Sequence, residues 1–240
     1  MSRTADVLSS FAASTLALGG GYSVGPLGPR PETPLELYEF EACPFCRRVR
    51  EALTVLDLEA MIYPCPKGGQ RFRPRATELD AGKGFPLLVD PNTGTTMRDS
   101  PAIVKYLFAT YGAGSPPLHM RGPSFAAPLG SLASAARFGR GARAVLSRAR
   151  EKPLELWSFE ASPYCRVARE ALCELELPYL LHNVAKKSPS RPAFIARSNK
   201  MMVPYLADPN TGIEMHESAD IAAYLHATYG DTHRGPNAAE

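Results

Sequence analysis

Cys43 and Cys46 stand two residues apart in Glu41-Ala-Cys-Pro-Phe-Cys-Arg-Arg-Val-Arg-Glu-Ala-Leu53. Two thiols at this spacing can form a redox pair or half of a metal site. A structural zinc site needs about four ligands, and neither a second Cys-x-x-Cys nor paired histidines supply them. The redox chemistry is therefore preferred. A thiolate is the reactive form, and a helix N-terminus favours it through unpaired N–H groups and the helix dipole. Pro44 suits the first turn of a helix, which places Cys43 just before that helix, at the exposed end of the motif. Arg47 and Arg48 add positive charge nearby. Cys46 lies three residues before Val49 on the apolar stripe Val49, Ala52, Leu53, Leu56. It is the shielded thiol, suited to resolve a mixed disulfide formed at Cys43.

The motif occurs twice. Glu160-Ala-Ser-Pro-Tyr-Cys165 repeats it with Ser162 in the place of Cys43. From Pro34 and Pro153 onward, 16 of 25 positions are identical. A second matched block follows, from Phe85 to Gly112 and from Val203 to Gly230. A repeat this long suits a small domain with its connection, not a solenoid unit. The reading is a lead over 1–33, a domain over 34–114, a basic linker over 115–151, a second domain over 152–232 and a tail over 233–240. Leu8 onward and Leu129–Phe138 echo each other as candidate leading helices. Between Gly112 and Lys152 six arginines and one lysine face one glutamate; a solvated face is preferred there to an anion-binding surface.

Each copy reads β-α-β-α-β-β-α, a mixed four-stranded sheet with helices on both faces. Leu35–Phe40, Ala60–Tyr63 and Pro86–Val89 are strand-like, with counterparts that include Tyr179–His182 and Pro204–Ala207. Arg71–Ala81 and Arg191–Arg197 are short helices. Asp-Pro-Asn-Thr-Gly makes a tight turn before a fourth strand. The last helix of the first copy begins at Ser100-Pro101, with Ile103, Tyr106, Leu107 and Thr110 as its inward face.

Three further features accompany each thiol motif. Phe85-Pro86 and Val203-Pro204 open a strand, where a cis proline would leave the preceding backbone able to pair with an extended ligand. Asp99-Ser100 and Glu217-Ser218 begin a helix, where a ligand carboxylate meets backbone N–H groups. Ser162 has two open readings: donor to a ligand thiolate, or plain N-cap. Cys65 reads as a loop residue in preference to a supporting or redox cysteine, Cys165 as a small buried residue, and Cys173 as a residue with no role.

In this order these residues resemble a glutaredoxin and the thioredoxin-fold N-terminal domain of glutathione transferases, and tandem proteins of the latter domain most. The resemblance implies two tandem thioredoxin-like domains and glutathione as co-substrate. It implies Cys43 as nucleophile and Cys46 as resolving thiol. Phe85 would pair with the cysteinyl unit, Pro86 would be cis, and Asp99 and Ser100 would hold the γ-glutamyl end. Ser162, Val203, Pro204, Glu217 and Ser218 would be the second copy's equivalents. The expected activity is glutathione-linked reduction of protein or small-molecule disulfides. The alternatives are a glutathione transferase or isomerase using Ser162, and a non-catalytic glutathione-binding scaffold. Neither copy is followed by chain enough for the helical domain of a transferase.

The net charge of +3 does not suggest nucleic-acid binding, and no run of 18 apolar residues suggests a membrane span. Five cysteines at uneven spacing fit a reducing compartment. The cytoplasm is expected, with a plastid or mitochondrion as the alternative if the Ala/Ser-rich N-terminus is a transit peptide.

Overall fold

Leu35 and Leu37 pack into one core cluster while Tyr38 joins another on the opposite side. This two-residue alternation is what a strand buried on both faces requires. In the computed structural model, which describes residues 21–82, 84–121 and 139–231, the first copy runs β1 (Leu35–Glu39), α1 (Pro44–Val55), β2 (Ala60–Pro64), α2 (Arg73–Leu79), β3 (Leu87–Asp90), β4 (Thr95–Arg98) and α3 (Ser100–Tyr111). The second copy runs β5 (Leu154–Ser158), α4 (Pro163–Glu174), β6 (Tyr179–Asn183), α5 (Arg191–Ser198), β7 (Tyr205–Asp208), β8 (Ile213–His216) and α6 (Ser218–Tyr229). Element order and type are as expected from the sequence.

Two separate four-stranded sheets are not what forms. The strands make one eight-stranded mixed sheet in the order β4-β3-β1-β2-β6-β5-β7-β8. The join is antiparallel, with Ala60 opposite Leu181 and Ile62 opposite Tyr179. β2 and β6 would each be an edge of its own half-sheet, and an open edge presents unpaired N–H and C=O groups. Pairing the two edges satisfies both. One face carries α1, α3, α4 and α6 over a core that spans both copies, from Leu35 and Leu53 to Leu172 and Leu225. The other face carries α2 over Tyr38 and Leu87, and α5 over Trp157 and Tyr205.

The inward face of α3 is Ile103, Val104, Leu107, Phe108 and Tyr111. Tyr106 and Thr110 are only half-buried. Tyr106 instead donates to the Asp90 carboxylate at 2.6 Å, as does Tyr111. Asp208 receives Tyr224 and Tyr229 in the same way, so the Asp-Pro-Asn-Thr-Gly turn anchors the last helix of each copy.

The segment leading into each copy starts on the other copy and then crosses to its own, as Gly25 N–H on Val55 O and Gly28 N–H on Tyr111 O show. Val24 N–H donates to Lys186 O at 2.8 Å and Lys186 N–H to Tyr22 O at 3.0 Å. Reciprocally, Lys67 N–H donates to Ala142 O at 2.7 Å and Ala144 N–H to Lys67 O at 3.0 Å. The linker from Gly139 has no helix; it lies against the first copy as far as Ala144 and then against its own, with Val145 N–H on Glu174 O at 2.8 Å and Arg148 N–H on Tyr229 O at 2.8 Å. The candidate leading helices at Leu8 and Leu129–Phe138 fall outside the described residues. At the crossing points Gly21 has φ +74° and Gly141 φ +69°. A Cβ on Gly141 would meet Glu41 Cβ at 2.8 Å, so only glycine fits both the conformation and the gap. Among the described residues no helix is long and apolar enough to cross a membrane.

Candidate active site

β1 delivers the chain to Cys43, which is the N-cap of α1 with an extended backbone (φ −78°, ψ 119°). Its Sγ accepts the Cys46 N–H at 3.3 Å, the bond that an N-cap side chain makes to satisfy an orphan helix donor. On the other side the Cys43 thiol faces Phe85 O at 3.8 Å, and the Phe85-Pro86 peptide is cis. The thiol motif and the strand-opening proline are therefore adjacent in space.

The two thiols of the pair are set apart by environment. A hydrogen bond from the Cys46 side chain holds the Cys43 thiol down at about 7, against burial, with help from the backbone N–H groups of Cys46 and Phe45 and the Arg50 charge. Burial pushes Cys46 well above its usual value, and it has no exposure at all. Cys43 is also more enclosed than its N-terminal position suggested, at 4% exposure. Phe45, by contrast, is 44% exposed at the mouth.

The cation that acts on Cys43 is not one of the expected pair. Arg47 reaches Glu51 at 3.0 Å, and Arg48 donates to Met120 O at 2.6 Å. Arg50 lies beneath the motif instead, 1% exposed, bound to Glu39, to Glu41 at 3.2 Å and to Glu160 at 2.9 Å. Arg169, its counterpart, grips Glu41 through two bonds of 3.0 Å and Glu160 at 3.1 Å. The two motif loops thus share one buried ionic cluster, each arginine compensating the other copy's glutamate. The signal was present in the sequence, since Glu41/Glu160 and Arg50/Arg169 are identical in both copies.

A cleft of about 760 Å³ opens beside the motif, lined by Phe45, Phe85, Pro86, Arg98, Asp99 and Ser100 among others. Asp99 holds φ +78° and caps α3 by accepting Ala102 N–H at 3.1 Å. A non-glycine residue in that region is strained, and such strain gathers at binding sites. Ser100 is 2% exposed, and its Oγ has no hydrogen-bond partner among the described residues. Arg98, which the sequence reading passed over, pins the cleft wall: it pairs with Asp80 at 2.8 Å and donates to the carbonyls of Gly84 and Ala76.

The second copy has the same frame. Ser162 caps α4, its Oγ accepting Cys165 N–H at 3.2 Å, and is 4% exposed. The Val203-Pro204 peptide is cis, and Glu217 holds φ +71°. Ser218 opens α6 and is buried. Cys165 is fully buried. Cys173 does have a place: it is buried, its Sγ accepts Glu41 N–H at 3.4 Å and its thiol faces Gly141 O at 3.3 Å. Cys65 is likewise buried, with its N–H on Glu39 O at 2.6 Å.

The family model described as glutathione S-transferase, N-terminal domain, matches residues 37–117 and again 156–233. No curated protein sequence matches. Among solved structures, a trimeric glutathione transferase, Leishmania TDR1, matches at 14% identity with a TM-score of 0.30, covering 83% of this chain and 68% of that one. With the family model matching both copies and well over half of its residues, the chain belongs to the glutathione S-transferase N-terminal domain family.

Proposed function

We propose that the protein is a glutathione-linked thiol–disulfide oxidoreductase. Residues 34–114 would be the catalytic thioredoxin-like domain, and 152–232 a second such domain that keeps the frame without the attacking sulfur. One observation carries the reading: Cys43 stands at the N-cap of α1 with its Sγ on the Cys46 N–H at 3.3 Å and against the cis Phe85-Pro86 peptide, while Cys46 is fully buried behind it, an arrangement that lowers the first thiol and raises the second. This is the division between attacking and resolving thiol that exchange requires.

In the reaction, the Cys43 thiolate attacks the glutathionyl sulfur of a mixed disulfide. The old S–S bond breaks, and the substrate leaves as a thiolate that takes up a proton. Free glutathione then attacks the Cys43–glutathione disulfide, releasing oxidised glutathione and restoring the Cys43 thiolate. Alternatively Cys46 attacks, releasing glutathione, and two further glutathiones reduce the internal disulfide. The bound tripeptide would lie along Phe85 and Pro86, with a carboxylate at the N-terminus of α3 on the unpartnered Ser100 hydroxyl.

The test is glutathione-coupled turnover of a small mixed disulfide. Cys43→Ser should abolish it, while Cys46→Ser should retain it if glutathione resolves the intermediate. Folded wild type without turnover on such substrates would overturn the proposal.

A further inference from the structure

Arg98 and His216 end the last strand of their copies, opposite Leu87 and Tyr205, the residues that follow the two cis prolines. From there Arg98 reaches past the cis peptide, and its Nη1 donates to Gly84 O. His216 makes the matching contact in the second copy, with Nδ1 3.0 Å from Met202 O. Gly84 and Met202 immediately precede Phe85-Pro86 and Val203-Pro204. Each side chain also reaches the helix on the same side of the sheet. Arg98 Nη2 donates to Ala76 O at 2.7 Å and Asp80 O at 2.8 Å, and His216 Nε2 lies 3.4 Å from Ser198 O. Two unlike side chains thus serve the same carbonyl, so the contact belongs to the frame that the copies share.

We propose that Arg98 is a positioning residue for the tripeptide: by clamping Gly84 O it presets the Phe85 backbone on which a glutathionyl ligand would lie. The inference rests on the glutathione-linked reading of the cleft. A peptide unit is planar, and Gly84 C=O and Phe85 N–H belong to one unit. Fixing the oxygen therefore fixes the direction of the N–H. That N–H and the Phe85 carbonyl form the edge that an extended ligand pairs with, and the carbonyl faces the Cys43 thiol at 3.8 Å. Gly84 holds φ +89°, and glycine has no side chain to fix its own backbone. Arg98 steadies the ring as well, with its guanidinium 5.8 Å from the Phe85 centroid. Its Nε donates to the Asp80 carboxylate at 2.8 Å, so four of its five N–H groups are spent on the protein. Arg98 thus holds backbone rather than gripping a ligand charge, and it adds affinity through preorganisation. The Cys43 thiol keeps its own partner, the Cys46 N–H.

The test is calorimetric binding of S-methylglutathione, which carries the tripeptide without a free thiol, to the reduced full-length protein. Arg98→Met removes the donors and keeps an unbranched side chain. Gly82→Ala keeps Arg98 but sets a Cβ 2.8 Å from its Cδ, which forces the side chain aside. Each should weaken binding roughly tenfold, while iodoacetamide alkylates Cys43 within about twofold of the wild-type rate. Arg98→His, which installs the residue of the second copy, should recover most of the loss. The glycyl ethyl ester of the ligand should lose as much affinity in Arg98→Met as the free acid does. An ester that binds wild type and Arg98→Met equally would make Arg98 a direct contact of the ligand carboxylate and overturn the positioning role. Wild-type affinity in either folded variant, or no recovery in Arg98→His, overturns it too. So does a fall in Cys43 alkylation as large as the fall in binding, the mark of a site that has collapsed as a whole. Failure of the wild-type protein to bind S-methylglutathione overturns the glutathione-linked reading, and this inference with it.

Discussion

Cys46→Ala should make Cys43 a weaker acid, and Cys46→Ser should not. The hydrogen bond from the Cys46 side chain is the largest influence lowering Cys43 to about 7. Alanine removes that donor but keeps the backbone N–H at 3.3 Å; serine keeps both. A hydrogen bond to a charged group contributes about 1.5–3 kcal/mol, and ~1.4 kcal/mol is one pH unit. The alanine variant should therefore titrate about one unit or more higher. In wild type at pH 7, half of Cys43 is thiolate, against ~1% for a thiol at the ordinary 9.0. That ~50-fold gain is reduced ~6–10-fold by the lower nucleophilicity of a more acidic thiol. A net advantage of roughly fivefold to eightfold remains. The assay is alkylation by iodoacetamide from pH 5 to 10, read at Cys43 by peptide mass spectrometry. Each profile is scaled to its own high-pH limit, so that access to a 4% exposed sulfur cancels. A wild-type midpoint at 8.5 or above, or the same midpoint in the alanine and serine variants, would refute the reasoning. So would alkylation of Cys46 ahead of Cys43.

Two buried glutamates should shape stability against pH in opposite senses, read by denaturant titration. Glu160 is held at about 2 rather than 4.5, its burial outweighed by Arg169, Arg50 and Arg47. Its contribution is present above pH 4.5 and lost as pH falls toward 2. Glu39 is raised to about 7, so its contribution is complete below pH 4.5 and lost as pH rises through 7. Glu39→Gln should flatten the fall between pH 4.5 and 7 and leave the acid limb in place; a retained fall would show that Glu39 is not its source. Ser100→Ala removes a buried hydroxyl with no partner among the described residues. It should leave stability unchanged or raise it by up to about 1 kcal/mol, while weakening glutathione binding roughly tenfold by calorimetry. Lost stability with unchanged binding would remove Ser100 from the ligand site.

The helix start at Pro44, the strand at Leu35, the turn at Asp90 and the N-cap position of Cys43 were all legible, because each depends on neighbours within a few residues. The expected face of α3 held at Ile103, Leu107 and Tyr106, whose ring packs against the core, but missed Val104, Phe108 and Tyr111 and included the half-buried Thr110; that Asp90 takes the Tyr106 hydroxyl depends on a residue outside the helix. Cys173 was misjudged because its partners, Glu41 and Gly141, lie far off in sequence. The expectation of two sheets failed because no single copy reveals that its β2 edge will find another.

By itself, then, the sequence determined that a repeated β-α-β-α-β-β-α unit carries one armed and one disarmed thiol motif. Local propensity, capping chemistry and periodicity are written into adjacent residues. Only the tertiary structure decided that the copies share one sheet, that each leading segment starts on the other copy, and that Arg50, Arg169, Glu41 and Glu160 are buried in a single cluster beneath both motifs. Charges taken out of water need opposite partners at hydrogen-bond distance, and here each copy holds the partners of the other.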